Sequence, residues 1–406
     1  TRDEILSMLA KEMLDAAELL PASQSEVGRI HKYIALAYAA KIKLYQAYQQ
    51  DETTHAVTSI NKELLREVVS LCDQVTASNR YGLLDDFQGL DLVANENGKE
   101  SVFAIQYSMN DGTESAGRIN WSNLLNSPGG GSPYGGDGFF LPSQDLINAY
   151  QTDANGLPDF NYQSKSDYSW AVLNNGVYTL QNTTPNVDPR LDFVVGRPTI
   201  TWKTYPDKPC EGWVRDKETY GYNCAKRFWV SPESSDMFNG WPWGASQLNW
   251  QIIRYADILL WKAEALIELN EGNGLETARD LINQIRNRAR NSAYVKDFND
   301  HSKYAANYLV NPYPADVWNQ DYARQALRWE TRLEKALEGE RFFDLVRWGI
   351  VETTMNKYIT AESDNRIYYA NAHFTGGKDE YYPVPNNQYG FSGGKYVQNP
   401  GYAPFN

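Results

Sequence analysis

The spacing of the apolar residues constrains the fold of this chain more than any other feature of its sequence. Toward both ends, apolar side chains recur every three or four residues, which places them on one face of an α-helix. Residues 1–80 contain three such helices, and helical spacing returns over residues 248–270 and 321–348. Residues 81–247 lack this spacing and are rich in Gly, Pro, Asn and Asp. The pattern predicts a mainly α fold, in which a scaffold of helix pairs carries a loop-rich region with short β-strands.

The connections within the scaffold are short and polar, which is typical of antiparallel neighbours. The turn at residues 271–274 separates two predicted helices, and small alanines lie where these helices would cross. A helix pair of about 34 residues with alanines at the crossing indicates tetratricopeptide-like packing. The chain is also predicted to begin on a helix, because Thr1 and Glu4 have the spacing of a capping box.

The chain divides by this pattern into three parts that we expect to form one compact unit. Residues 1–80 supply the N-terminal helix pairs, residues 81–247 a loop-rich ligand-binding region, and residues 248–406 the C-terminal helix pairs and an extended tail. A loop region this long within a compact domain is usually functional. Its predicted elements are strands at Val102 to Tyr107, Leu191 to Val195 and Thr199 to Lys203, and a helix at Ser143 to Tyr150.

Charge and composition exclude several classes of protein. The net charge of −13 would repel the phosphates of nucleic acids and anionic lipid surfaces. The longest apolar run, Ile34 to Ala40, is far shorter than the about 20 residues that cross a bilayer. The four histidines are scattered, and no metal-ligand spacing, nucleophile elbow or phosphate-binding loop is present. We therefore predict a binding protein without a cofactor or metal. A glycoside hydrolase stays open as an alternative, since it needs only two carboxylates about 5 to 10 Å apart.

Cysteine usage leaves the redox state open. Cys72 falls on the apolar side of a predicted helix and is expected to be a small core residue. Cys210 and Cys224 flank one loop, and their spacing is compatible with a disulfide or with two free thiols.

Aromatic residues supply the candidate binding site. The chain has 28 tyrosines and 12 tryptophans, whose rings combine an apolar face with a polar group and suit sugar rings or peptides when they are not simply packed. The tryptophans are densest in the loop-rich region. Trp202 and Trp213 are the first candidates for ligand stacking, because they lie on either side of a Pro-bearing loop. The further candidates are Trp241, Trp243 and Tyr134 for stacking, and Asp207, Lys208 and Arg215 as partners of hydroxyl groups.

Several segments together resemble one protein family. Arg254 to Leu260 and Leu281 to Ala289 are similar to the signature helices of the SusD/RagB family. The resemblance continues, in the family's order, through Phe140 to Leu146, Asp188 to Leu191, Arg328 to Arg332, Glu338 to Gly349, Tyr382 to Pro385 and Gln398 to Tyr402. In the Glu338 to Gly349 block, Glu340, Arg341, Asp344 and Arg347 are three or four residues apart, so we expect ion pairs on a helix face there.

The resemblance implies a lipid-anchored nutrient-binding protein on the surface of Bacteroidetes-type bacteria. Such proteins bind oligosaccharides, or peptides in the RagB-like branches, and pass them to a SusC-like TonB-dependent transporter in the outer membrane. It also implies a tetratricopeptide-like fold and a further N-terminal portion, with the lipid anchor and part of the ligand site, outside this sequence. A peptide-binding helical-repeat adaptor remains a second alternative.

Overall fold

The computed structural model of the chain describes residues 1–114, 117–129, 131–203 and 205–405, and for residues 205–209 it describes the backbone alone. In these ranges the α-helices are α1 (Arg2–Leu19), α2 (Lys32–Ala47), α3 (Lys62–Ala77), α4 (Gln144–Ala149), α5 (Arg190–Val194), α6 (Lys217–Tyr220), α7 (Tyr255–Leu269), α8 (Gly274–Asn291), α9 (Gln320–Glu334), α10 (Arg341–Arg347), α11 (Val351–Ser363) and α12 (Asn386–Phe391).

The β-strands of the described residues are short and pair antiparallel in twos, as β1–β2, β3–β12, β4–β7, β5–β6, β8–β11 and β9–β10. They are β1 (Tyr48–Gln50), β2 (Val57–Ile60), β3 (Ser101–Ile105), β4 (Gln151–Thr152), β5 (Trp170–Asn174), β6 (Val177–Gln181), β7 (Asn186–Val187), β8 (Val195–Gly196), β9 (Thr201–Trp202), β10 (Tyr205–Pro209), β11 (Cys224–Ala225) and β12 (Trp250–Arg254).

The long helices form the scaffold, and each packs on the next in chain order: α1 on α2, α2 on α3, α3 on α7, and α7 on α8 and α9. Helix α7 lies at the centre and is buried along almost its whole length. Fully buried alanines at the crossings, such as Ala37, Ala40, Ala256 and Ala263, leave room for this close approach. The helix-dominated prediction is confirmed, while the tetratricopeptide character of the pairs stays a prediction. None of the helices in the described ranges is both long and apolar enough to span a bilayer.

Two helix boundaries differ from the prediction. The helix expected from Leu248 begins only at Tyr255, because the β-branched segment before it pairs with β3 as strand β12. The long helix expected over residues 321–348 is interrupted between α9 and α10. Leu337 and Gly339 adopt positive φ angles of 66° and 86° there, which no continuous right-handed helix contains.

Of the four elements predicted in the loop-rich region, one is wrong, two are confirmed, and the strand at Thr199 to Lys203 is present only as the short β9. Residues 191–195, predicted as a strand, mainly form helix α5, since Pro189 presets a helical φ of −61° at its N-cap. The short helix predicted after Ser143 is present as α4, and the Ser143 hydroxyl accepts a hydrogen bond from the Leu146 N–H. The strand predicted at Val102 is present as β3.

A buried network of ion pairs joins the loop-rich region to the scaffold. Arg190 of α5 pairs with Asp188 at 2.7 Å and with Glu330 of α9 at 2.6 Å, and all three side chains are fully buried. Arg254 pairs with Glu334 at 3.0 Å. Although burial opposes ionisation, Arg288 and then Arg254 hold the pKa of Glu334 down at about 2. Buried charges persist only when paired, so this network fixes how the loop-rich region sits on the helices.

Candidate functional site

Four aromatic side chains of the loop-rich region form a closed cluster, which we call the aromatic core: Tyr134, Trp202, Trp213 and Trp229. Each is at most 5% exposed. The Trp202 indole N–H donates to the Tyr134 hydroxyl at 3.0 Å, and that hydroxyl donates to the Val230 carbonyl at 2.7 Å. The Trp202 and Trp213 rings meet edge to face with centroids 4.9 Å apart. These rings cover one another's faces.

The aromatic core changes the interpretation of three predicted site residues. Trp202, Trp213 and Tyr134 were expected to offer open ring faces to a ligand, and in the structure these faces are covered by protein. The Trp202 ring fills the space in front of Gly196, where an added Cβ would come within 2.7 Å of its Cε3 atom. The three residues are therefore packing residues beneath the surface of the loop-rich region, and their sequence positions carried no signal of this.

Trp241 and Trp243 are the predicted candidates whose rings reach solvent, with 64% and 51% of the side chain exposed. Two glycines allow their loop to pack closely against the aromatic core. A Cβ on Gly135 would lie 3.0 Å from the Trp243 Cβ, and a Cβ on Gly244 would lie 2.8 Å from the Trp229 ring. Close backbone contact of this kind supports the two exposed rings from beneath.

Arg215 links the same loops through its guanidinium group. Its Nη2 donates to the Gly136 carbonyl at 2.8 Å and to the Asp137 carboxylate at 3.0 Å, and the two side chains remain 60% and 44% exposed. Arg215 was predicted as a hydroxyl partner next to Trp202 and Trp213; in the structure it binds the loop that follows Gly135, and its role toward a ligand stays a prediction. The side chains of Asp207 and Lys208, predicted as further hydroxyl partners, lie outside the described part of the chain.

Two exposed aromatic residues of the loop-rich region were not among the predicted site residues. Phe139 is 74% exposed, and its N–H donates to the Leu125 carbonyl at 3.2 Å. Trp121 is 45% exposed and follows Asn120, whose N–H donates to the carbonyl of Ser246 at 2.7 Å, just beyond the tryptophan loop. The exposure of Phe139 could have been predicted from its position directly after a glycine-rich run. We call the exposed set the aromatic surface: Trp121, Phe139, Trp241, Trp243, Asp137 and Arg215.

The cysteines and the potential metal ligands do not form a second candidate site in the described residues. Cys210 and Cys224 are buried free thiols in this structure, so they support the region by packing, and burial raises the pKa of Cys224 well above its usual value. Among the residues that the structure describes, no group of three or more His, Cys, Asp or Glu side chains is arranged to hold a metal ion. The site's chemistry is therefore that of ring faces with a few polar groups at their edge.

Comparison with known proteins identifies the family. A sequence model described as the SusD family matches residues 99–402. No curated protein matches the chain in sequence. A SusD superfamily protein from Bacteroides vulgatus is similar in structure, with 21% identity, a TM-score of 0.60 and coverage of 93% of this chain and 64% of that one. A SusD homolog from Bacteroides thetaiotaomicron has 17% identity, a TM-score of 0.65 and coverage of 98% and 70%.

A third similar structure is surface glycan-binding protein A from Bacteroides thetaiotaomicron in complex with laminarihexaose, with 17% identity, a TM-score of 0.63 and coverage of 98% of this chain and 70% of that one. At such identities these structures show the fold alone. The chain spans less than two thirds of the first of them, at 64% of its length. The family match extends over most of the chain and includes the motifs on α7, α8, α9 and α10, so the chain belongs to the SusD/RagB family.

Proposed function

We propose that this protein binds oligosaccharides at the cell surface, through the aromatic surface, and passes them to a SusC-like TonB-dependent transporter in the outer membrane. The observation that carries the proposal is the exposure of Trp241 and Trp243 on a loop that the aromatic core holds in place. Membership of the SusD family supports the ligand class. Attachment to the outer membrane by a lipid anchor belongs to the same proposal.

The chemistry of the aromatic surface suits a neutral sugar. The C–H faces of a pyranose ring pack on indole and phenyl faces by burial and dispersion. The exposed ion pair of Arg215 with Asp137, two residues after Gly135, combines donor and acceptor groups for the sugar hydroxyls. Since the ligand carries no charge, the net charge of −13 does not oppose binding.

Two of the similar structures guide the choice of a first probe. One is described as a laminarin-binding SusD-like protein and another contains laminarihexaose. With 20% and 17% identity to this chain, they suggest laminarihexaose as one member of a panel and do not define the specificity. The panel should also contain neutral oligosaccharides of other linkages.

Isothermal titration calorimetry tests the proposal. We expect one member of the panel to bind, and Trp241→Ala and Trp243→Ala each to weaken its affinity by about tenfold, since a stacked ring contributes about 1 to 2 kcal/mol. Trp170→Ala is the matched control, because Trp170 is 44% exposed but lies on the β5–β6 hairpin. If Trp241→Ala and Trp243→Ala bind as well as this control, the proposed site is wrong.

A peptide-binding function of the RagB type is the second candidate. The observation that favours it is an apolar groove of about 930 Å³ between α1 and α2, lined by residues that include Leu9, Met13, Ile34 and Phe103. Such a groove suits the apolar side of a peptide better than a sugar. Incubation of the protein with a peptide pool and a glycan pool, followed by mass spectrometry of what is retained, separates the two functions.

A further inference from the structure

A cavity of about 800 Å³ lies between α9, α10, α11 and the segment that follows α4, apart from the aromatic surface. This volume is within the range of about 300 to 1,000 Å³ that is usual for small-molecule sites. Six cationic side chains and three carboxylates are among its described lining residues, although the chain as a whole has a net charge of −13. A local excess of positive charge in an acidic protein points to an anionic ligand.

Most of the charged groups of this cavity are already paired within the protein. Arg332 binds the Asp145 carboxylate at 2.6 Å and the Tyr162 hydroxyl at 2.9 Å. Arg324 and Lys335 likewise bind carboxylates of the scaffold, at 2.7 Å each. Asp344 pairs with Arg347 at 2.9 Å, as its helix spacing predicted. The paired groups have a structural role, and their carboxylates are not available to form ion pairs with the remaining cations.

The cations that remain are the exposed Lys357 and two half-buried arginines, Arg328 and Arg341. Among the described residues, no carboxylate forms an ion pair with either arginine, so the helix-face pair predicted for Arg341 is absent. The Arg341 Nη1 atom is buried without a hydrogen-bond partner in the described protein. The Arg328 guanidinium lies over the Trp348 ring, 5.3 Å from its centroid. A buried guanidinium N–H without an acceptor costs free energy that a bound anion would recover.

The electrostatics of the two arginines agree with this geometry. Burial, and then the positive charge of Arg332, lowers the pKa of Arg341 to about 9, and burial lowers the pKa of Arg328. Guanidinium groups normally keep very high pKa values even in proteins. Nearby carboxylates, such as Asp344 for Arg341 and Glu264 for Arg328, raise these pKa values by less than burial lowers them.

Aromatic rings share the cavity with the arginines. Trp329 and Phe342, which are half-buried, line it from α9 and α10, and the buried Tyr162 ring packs edge to face against Trp329 with centroids 5.5 Å apart. Rings beside guanidinium groups offer a packing face together with bidentate donors for a carboxylate. A sugar ring that carries a carboxylate presents both matching features.

We propose that this cavity binds the carboxylate of a uronic-acid-containing oligosaccharide, with Arg328 and Arg341 as the donors and the neighbouring rings as packing faces for the sugar. The choice of a sugar over another carboxylate rests on the proposed function, whereas the anionic character rests on the cavity alone. Because Arg328 and Arg341 lie on α9 and α10 of the scaffold, the acidic unit binds apart from the aromatic surface.

Calorimetry with trigalacturonate and with its fully methyl-esterified form tests the proposal, because the two probes differ in the carboxylate charge. We expect the free acid to bind the unaltered protein about tenfold or more tightly than the ester, the effect of a charge-assisted hydrogen bond. Arg328→Gln and Arg341→Gln should each reduce this preference severalfold, and the double variant should abolish it. Arg341→Lys, which keeps the charge, should retain part of it.

Arg66→Gln is the matched control, because it removes the same charge from an exposed cluster in which Arg66 of α3 pairs with Glu63 and with Glu271 of the α7–α8 turn. The Arg341→Gln variant should unfold at an unchanged or higher temperature, since it removes a cation whose buried Nη1 atom has no partner among the described residues. Equal affinity for acid and ester, or an Arg341→Gln variant that prefers the acid as strongly as Arg66→Gln does, would overturn the proposal.

Two further arms separate this proposal from the proposed function. If trialanine, which also carries a carboxylate, binds as tightly as trigalacturonate and depends on the same arginines, the assignment to a sugar is wrong. If trigalacturonate binds through the arginines while the neutral panel does not bind at all, the cavity proposal stands and the aromatic surface fails. If the neutral panel binds and trigalacturonate does not, the aromatic surface stands and the cavity proposal fails.

Discussion

Trp202 lies at the bottom of the aromatic core, where its N–H donates to Tyr134 and its ring occupies the space in front of Gly196. Packing at protein density leaves no room at such a contact for even one added methyl group. The same ring was the first candidate for ligand stacking by sequence, because residue type and a loop-rich surrounding do not reveal whether a ring face is covered. Exposure of a tryptophan is decided by residues distant in sequence, here Tyr134 and Trp213.

Gly196→Ala tests this packing. The added methyl group would lie 2.7 Å from the Cε3 atom of Trp202, so we expect a loss of about 1 to 3 kcal/mol in the free energy of unfolding. Urea denaturation followed by tryptophan fluorescence measures it. Gly390→Ala is the control, because a Cβ there meets nothing within 4 Å, and it should leave the stability nearly unchanged. Equal stability of the two variants would contradict the close contact.

Glu362 gives a prediction of pH dependence. Its Oε1 accepts a hydrogen bond from the Asp145 N–H, its Oε2 is buried without a partner among the described residues, and burial raises its pKa to about 7. A carboxyl group with a raised pKa in the folded state stabilises the fold when protonated, and this contribution is lost as the pH rises from about 4.5 to 7.

Glu362→Gln keeps the acceptor and removes the charge. We therefore expect the variant to be more stable than the unaltered protein at pH 8, by up to about 3 kcal/mol, with most of the difference gone at pH 5. Urea denaturation at the two pH values checks it. A stability difference that is the same at both would show that Glu362 titrates normally.

At the scale of elements, the sequence correctly predicted the helices whose positions are determined by apolar periodicity and by local caps. The capping box of Thr1, the N-cap of α4 and most of the scaffold helices are present. The predictions failed where distant contacts decide the structure. Strand β12 replaces the first turn of a predicted helix because β3 is there to pair with it, and the break between α9 and α10 accompanies the burial of Lys335 and Glu338 in ion pairs. Local spacing carries no information about either partner.

The loop that carries Trp241 and Trp243 gives a prediction at this scale. Gly135→Ala would place a methyl group 3.0 Å from the Trp243 Cβ, at a φ angle of 64°, and should displace the loop. We expect weaker binding of whichever neutral glycan the panel identifies, by about tenfold, if the loop carries the site. Calorimetry measures the affinity.

Gly176→Ala separates steric displacement from backbone strain. Gly176 has a φ angle of 81° in the β5–β6 turn, and a Cβ there meets nothing within 4 Å. Both substitutions carry the cost of about 1 kcal/mol for a left-handed alanine, but only Gly135→Ala also disturbs Trp243. An equal effect of the two variants on affinity would mean that the contact between Gly135 and Trp243 does not position the Trp241 and Trp243 rings.

At the scale of the whole molecule, the buried ion pairs unite parts of the chain that lie far apart in sequence. Arg190 of the loop-rich region binds Glu330 of α9, and Arg254 at the start of α7 binds Glu334. In the sequence, Asp188 to Leu191 is recognisable only as a family motif, because a charged residue does not show which distant partner will bury it. The loop-rich region is therefore anchored to the scaffold electrostatically as well as by packing, which keeps the aromatic surface in a fixed relation to the helices.

Arg190→Met should reveal this anchor. The substitution leaves Asp188, Glu330 and Glu334 buried with one positive charge fewer, and we expect a loss of about 3 to 5 kcal/mol in stability. Because Arg190 joins the two regions, the aromatic core should also lose its packing before the helices unfold. Tryptophan fluorescence and far-UV circular dichroism, which coincide in a two-state transition, should then separate in denaturant. Arg66→Met, which breaks an exposed pair on α3, should change stability by less than about 1 kcal/mol and keep the two signals together. Coincident transitions in Arg190→Met would mean that packing alone holds the loop-rich region to the scaffold.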